Sequence, residues 1–183
     1  CLDANTGDLI WQRLSRYGLQ CEPAVADGKV YVCSGIWAYY EGDELVLWLE
    51  GDVYCLDAED GSLIWEVLDC GYVEGGPVVV DGKLYFSVFG SKKQVYCLDA
   101  ETGEELWNRS KMNDPRGTVA VSNGKVYVGV TRPKWPNTEK LFCLNASTGE
   151  TIWSWDEKDR EEIRAAPTVV DGKVYVATKG YGY

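Results

Sequence analysis

Residues Cys97 to Trp107 read CLDAETGEELW, and the string returns as CLDANTGDLIW at Cys1 to Trp11, CLDAEDGSLIW at Cys55 to Trp65 and CLNASTGETIW at Cys143 to Trp153. Four ungapped copies identify a repeat protein. The four tryptophans are 54, 42 and 46 residues apart, a period that suits four-stranded propeller blades and exceeds that of a one-turn solenoid. A second unit alternates with the first: PAVADGKVYV from Pro23, PVVVDGKLYF from Pro77, VAVSNGKVYV from Val119 and PTVVDGKVYV from Pro167.

Each second unit predicts a hairpin of strands A and B. Asp27-Gly28, Asp81-Gly82, Asn123-Gly124 and Asp171-Gly172 are dipeptides that accept positive φ at both corners of a type I′ turn. Each first unit predicts a C-D hairpin, with Gly7, Gly61, Gly103 and Gly149 at the left-handed position of a bulged turn. The expected fold is therefore all-β: a β-propeller of four-stranded antiparallel blades whose faces are buried by stacking on their neighbours. The chain carries about four blades' worth of sequence in a single domain, 1–183. It begins with a C-D half-blade (1–16), continues with three complete blades (20–69, 74–110, 116–157) and finishes with an A-B half-blade (164–183).

These motifs resemble the PQQ-like, quinoprotein-type family, whose tryptophan-docking motif runs Ala-x-Asp-x-x-Thr-Gly-x-x-x-Trp. Asp3, Thr6, Gly7 and Trp11 match it, as do Asp99, Thr102, Gly103 and Trp107. Asp60 replaces the threonine in the second copy, Asn145 replaces the aspartate in the fourth, and cysteine replaces the alanine in all four. The resemblance implies that Trp11, Trp65, Trp107 and Trp153 are structural docking residues between blades. It also implies a ring of seven or eight blades, of which this chain would be an arc; a closed four-bladed ring, or half of an eight-bladed ring made by two chains, is the alternative. Cys1, Cys55, Cys97 and Cys143 read as small core residues. Tyr31, Tyr85, Tyr127 and Tyr175 read as cross-strand packing residues on strand B.

Composition narrows the chemistry. A net charge of −11 leaves no basic surface to track phosphates, so nucleic acid is not an expected partner. With no histidine in 183 residues, the commonest metal ligand and general base is missing. No apolar run reaches the length of a transmembrane helix. The turns such as DANTGD place their glycine too early for a calcium loop.

Binding sites are expected where the blades differ, on the face of the B-C and D-A connections. The longest departure, Gly35 to Gly51, reads as an extended hairpin turning near Glu41 to Asp43 and carrying Trp37, Tyr39, Tyr40 and Trp48. These aromatics suit a clamp for a ligand or a partner's strand, or a cap on the core. A second candidate set is Gln20, Glu74, Arg116 and Arg164, at equivalent positions just before strand A, at the mouth of the central channel. These four would hold a ligand or bridge one another. Three cysteines lie outside the docking motif: Cys21, Cys33 and Cys70. A continuous hairpin register sets Cys33 opposite Glu22 and turns Cys21 to the other face, so no strain-free Cys21–Cys33 bridge is expected.

Two functions follow from the resemblance. The first is a non-catalytic, extracytoplasmic scaffold with no cofactor, engaging a protein partner or associating with itself through open propeller edges. The second is a PQQ- and calcium-dependent alcohol or sugar dehydrogenase. The vicinal cysteine pair of the family's alcohol-oxidising enzymes has no counterpart here, because no two cysteines are adjacent.

Overall fold

The computed structural model describes residues 1–183 apart from 20, 37–38, 42–43, 47–49, 91, 111, 113, 116, 132–139, 157–160, 164 and 181–183. Every regular element among the described residues is a strand. β1 (Ala24–Ala26) and β2 (Lys29–Ile36) form the first A-B hairpin. β3 (Tyr39–Glu41) and β4 (Glu44–Val46) pair with each other in the connection that follows. β5 (Glu50–Asp57) and β6 (Leu63–Val67) complete a four-stranded sheet ordered β1-β2-β5-β6. β7 (Val78–Val80), β8 (Lys83–Val88), β9 (Gln94–Asp99) and β10 (Glu105–Arg109) repeat that order in a second sheet.

The third sheet gains a strand: β11 (Asp114–Pro115) and β12 (Ala120–Ser122) both pair with β13 (Lys125–Thr131), followed by β14 (Lys140–Asn145) and β15 (Thr151–Asp156). At the C-terminal end β16 (Glu161–Ile163) pairs with β19 (Thr178–Gly180), and β17 (Thr168–Val170) pairs with β18 (Lys173–Tyr175). At the N-terminal end a Leu2–Leu9 bridge marks the leading C-D hairpin. All pairings are antiparallel. No helix among the described residues is long and apolar enough to cross a membrane.

The turns explain the repeat's punctuation. φ is +50° at Asp27 and +72° at Gly28, and the three equivalent dipeptides match to within a few degrees. This is the type I′ geometry whose twist suits two-residue hairpins. In each C-D turn, the third residue of the CLDA or CLNA string caps the loop. Asp99 Oδ1 accepts the main-chain N–H groups of Glu101 and Thr102, both at 2.9 Å. Asn145 Oδ1 does the same for Ser147 and Thr148, so the departure from aspartate keeps the acceptor. Asp60 likewise keeps the acceptor role of the threonine it replaces, taking the N–H of Ser62 at 2.7 Å.

Those N–H bonds hold the Asp99 carboxyl below the usual carboxylate range, first through Thr102 and then Glu101. A depressed folded-state pKa contributes stability above the unfolded carboxylate pKa, and that stability is lost as pH falls through the folded value. Acidification is therefore expected to loosen the Asp3 and Asp99 turns while leaving the Asn145 turn intact. Amide NMR shifts of Thr102 should titrate in acid, and those of Thr148 should not.

The blades are joined by one repeated lock. Trp65 Nε1–H donates to the carbonyl of Ala100 in the next sheet at 3.1 Å, and the Tyr31 hydroxyl donates to the same oxygen at 3.1 Å. Trp107 and Tyr85 converge in the same way on Ala146, at 3.0 and 3.1 Å. Both lone pairs of a buried carbonyl are thus satisfied by two aromatic side chains of the preceding blade. The two rings pack together, with centroids 6.0 Å apart in each case. The indoles also cover the turn glycines of the next blade: a Cβ on Gly103 would lie 2.8 Å from Trp65, and one on Gly149 would lie 2.6 Å from Trp107. Trp11 makes the same contacts with Ala58 and Gly61.

Behind this lock, each sheet packs an alternating apolar face on its neighbour. Tyr31, Cys33, Val53 and Cys55 meet Leu84, Phe86, Tyr96 and Leu98 in one cluster. Tyr85, Val95 and Cys97 meet Val126, Val128 and Leu144 in the next. The repeated cysteines lie directly opposite the repeated tyrosines, as in Tyr31–Cys55, Tyr85–Cys97 and Tyr127–Cys143. Burial pushes Cys55 and Cys97 up to about 11, which makes them inert thiols at neutral pH.

Candidate functional site

Strand A is broken in every blade, and the break builds the inner rim. Its main part pairs with strand B at Ala24–Tyr31, Val78–Tyr85, Ala120–Tyr127 and Thr168–Tyr175. Upstream, pairing resumes at Leu19–Ser34, Tyr72–Phe89, Asp114–Thr131 and Ile163–Thr178. Between the two pairings strand A runs two residues longer than strand B in each blade, as from Leu19 to Ala24 against Tyr31 to Ser34. Two extra residues therefore bulge out of strand A at the same place four times.

Of the polar positions 20, 74, 116 and 164, Glu74 falls in the second of these bulges. Gln20, Arg116 and Arg164 lie outside the described residues. Glu74 is half-buried between the Tyr72 bridge and β7. The residues after them are small and bring neighbouring blades into main-chain contact. Gly76 N–H donates to Thr118 Oγ1 at 3.1 Å, and Ser87 Oγ donates to the Gly117 carbonyl at 2.8 Å. A Cβ on Gly75 would sit 2.2 Å from the Gly117 carbonyl carbon, and one on Gly76 would sit 2.8 Å from the Glu22 carbonyl oxygen. Glycine is required there because another backbone occupies the space. The column Cys21, Gly75, Gly117, Ala165 carried a legible signal for this contact.

The bulge corrects the reading of Cys21. Cys21 lies inside the bulge, off the regular pleat, where its Sγ donates to the Cys33 carbonyl at 3.2 Å and packs on the cluster that contains Cys33 and Cys70. A hydrogen bond from the Cys33 thiol lowers Cys21 to about 7, against the opposing effects of burial and the Glu22 charge. Burial raises Cys33 well above the ordinary thiol value. Cys70 donates to the Gly51 carbonyl at 3.1 Å, and burial pushes it up to about 12. All three are free thiols.

In the first blade, the start of β5 and the D-A connections beside it hold a polar cluster absent from the sequence reading. Asp52 is fully buried, accepting the Tyr54 hydroxyl at 2.8 Å and the Asp69 N–H at 3.0 Å. Tyr17 donates to Glu50 at 2.5 Å, and this bond is the main cause raising its hydroxyl to about 12. Arg16 pairs with Asp69 at 3.1 Å. One blade on, Lys93 reaches the buried Asp114 at 2.8 Å. Buried polar groups satisfied in this way stiffen the rim.

The β3-β4 hairpin lies in the B-C connection between β2 and β5. Tyr39 pairs with Val46 and Tyr40 with Leu45, and the turn falls between Glu41 and Glu44. Trp37 and Trp48 lie outside the described residues. An apolar cavity of about 300 Å³ separates the N-terminal C-D hairpin from the first sheet, lined by Trp11, Leu14, Val25, Val32, Tyr54 and Leu56. In the second blade the corresponding face, including Phe86, Tyr96 and Leu98, is covered by the Tyr31 and Cys33 side of the first.

A family model described as outer membrane protein assembly factor BamB matches residues 49–129 and 91–183. Among solved structures, the chain is similar to BamB from Moraxella catarrhalis, with 18% identity and a TM-score of 0.67 over 94% of this chain and 47% of that one. It is similar to the computationally designed Ika8 protein, with 14% identity and a TM-score of 0.73 over 97% of this chain and 48% of that one. It also resembles a quinohemoprotein alcohol dehydrogenase from Pseudomonas putida HK5, with 25% identity and a TM-score of 0.60 over 81% of this chain and 22% of that one. The chain thus spans about half the length of the first two and less of the third. No curated protein sequence matches it. The recurring tryptophan lock and the family-model match across 49–183 agree: this chain belongs to the PQQ-like repeat family of β-propellers.

Proposed function

We propose that this chain is an arc of a non-catalytic, extracytoplasmic binding propeller that holds a protein partner on the face of its B-C and D-A connections. The observation that carries this reading is the division of labour between repeat and departure. The repeated aromatics, the turn glycines and the paired alanine carbonyls are engaged in joining blades, whereas the blades differ in their B-C connections, the first of which carries the β3-β4 hairpin just before the strand that holds Asp52. A small hairpin with open edges offers main-chain groups to an extended partner strand. The description of the matching family as an outer membrane protein assembly factor supports a protein partner and a site of action outside the cytoplasm.

A photo-crosslinking amino acid at Tyr40 in the full-length protein, expressed in cells, tests this. Discrete cross-linked partners are expected from Tyr40 and none from Asp27, at the turn between β1 and β2. Equal yields from both positions would overturn the assignment of the face.

The likeness to an alcohol dehydrogenase favours a second reading, with PQQ and calcium as cofactors. Among the described residues no group of three or more His, Cys, Asp or Glu side chains converges on one point. No reaction step is assigned to this reading. Dye-linked alcohol oxidation by the full-length protein, supplied with quinone and calcium, would replace the scaffold reading.

A further inference from the structure

We propose that Cys21 and Cys33 form a thiol–disulfide site, in which the half-exposed Cys21 reacts with an external low-molecular-weight disulfide and the buried Cys33 resolves it into an intramolecular bond. The strand A bulge is the structural cause. It places Cys21 across from strand B with its sulfur 3.2 Å from the Cys33 carbonyl, packed on the same apolar cluster as Cys33. The Leu19–Ser34 and Ala24–Tyr31 pairings on either side hold the two segments next to each other.

The pair divides the work by exposure. Cys33 is fully buried and Cys21 is not, so an external reagent meets Cys21 first. The Cys33 thiol favours the Cys21 thiolate, with Glu22 the opposing charge; Cys33 itself faces Cys21 and Cys70. Cys70 is less suited as a partner, because it is buried and directed at the Gly51 carbonyl.

The chemistry balances in two exchanges. The Cys21 thiolate attacks one sulfur of the external disulfide, that S–S bond breaks, and one thiolate leaves. Cys33 sulfur then attacks Cys21 sulfur, the second external thiolate leaves, and it takes up the Cys33 proton. The two protein thiols lose two electrons, and the external disulfide is reduced to two thiols. The product ties the bulge to strand B beside the Glu22–Gly76 contact between blades.

Oxidised glutathione added to the reduced full-length protein provides the test. Intact mass should fall by two hydrogens, and peptide mapping should recover a Cys21–Cys33 cross-link. Cys33→Ser should instead hold a stable glutathione adduct on Cys21, and Cys21→Ser should react at neither position. The first step should accelerate as pH rises through about 7, the value Cys21 takes in the fold, whereas the urea-unfolded protein should need pH near the ordinary thiol value. A persistent adduct on wild-type Cys21, a Cys33–Cys70 cross-link, or no reaction would each overturn the proposal. The wild-type measurements suffice if a variant fails to fold.

Discussion

Trp107→Ala is expected to destabilise the chain by about 3–5 kcal/mol, the range for removing a large buried aromatic. Trp107 is 8% exposed, covers Gly149 and donates to the Ala146 carbonyl. Its loss opens a cavity at the seam between the second and third blades. Tyr85 still reaches Ala146, so the carbonyl is not orphaned and the loss is one of packing. Trp107→Phe should therefore cost less, because it restores most of the apolar contact without the Nε1–H donor. Trp153 supplies the control. It packs against Tyr127 in the same way but is 38% exposed, so Trp153→Ala should cost well under half as much. Urea unfolding followed by tryptophan fluorescence and circular dichroism measures all three. Equal losses at Trp107 and Trp153 would show that the lock is not the source of the stability.

Gly149→Ala is expected to cost considerably more than Gly124→Ala, although both glycines sit in one blade at nearly the same φ, +71° and +68°. A Cβ at Gly124 meets nothing within 4 Å, so its cost is the backbone penalty of roughly 1–2 kcal/mol. A Cβ at Gly149 would lie 2.6 Å from the Trp107 ring, and the indole must move from its seat. Combining Gly149→Ala with Trp107→Ala isolates that contact. In the Trp107→Ala background the excess should vanish, giving a favourable coupling energy between residues 42 apart in the sequence. Persistence of the excess would mean that the turn itself, not the neighbouring blade, disfavours the alanine.

The contrast between these two glycines shows what was legible in the sequence. Both announce a left-handed turn, because positive φ is a local demand answered by a local residue. Covering by the preceding blade's tryptophan is not local, and the string reveals only that tryptophan and glycine recur. The strand A bulge was hidden for a related reason. The segments ahead of β1, β7, β12 and β17 are too short and mixed to show an alternation, so a continuous register treats Cys21 as part of a regular strand, whereas it lies in the bulge. Asp52 was also unreadable, since its burial depends on Tyr54 and on Asp69 from the next connection. Of the two proposed binding sets, the hairpin bearing Tyr39 and Tyr40 was visible as an extra-long interval between tryptophans. The set at Gln20, Glu74, Arg116 and Arg164 was visible only as polar residues at a common offset. What such residues hold is decided by neighbours across the seam.

The same indole-on-glycine lock at successive seams has a consequence for how such a chain can grow. Each unit carries the key for its successor and the keyhole for its predecessor, so any copy is already complementary to any other. Tandem duplication of one unit would create a new seam without new compensating substitutions. Lineages built this way can change ring size by copying, and the outward loops are then free to diverge in each copy.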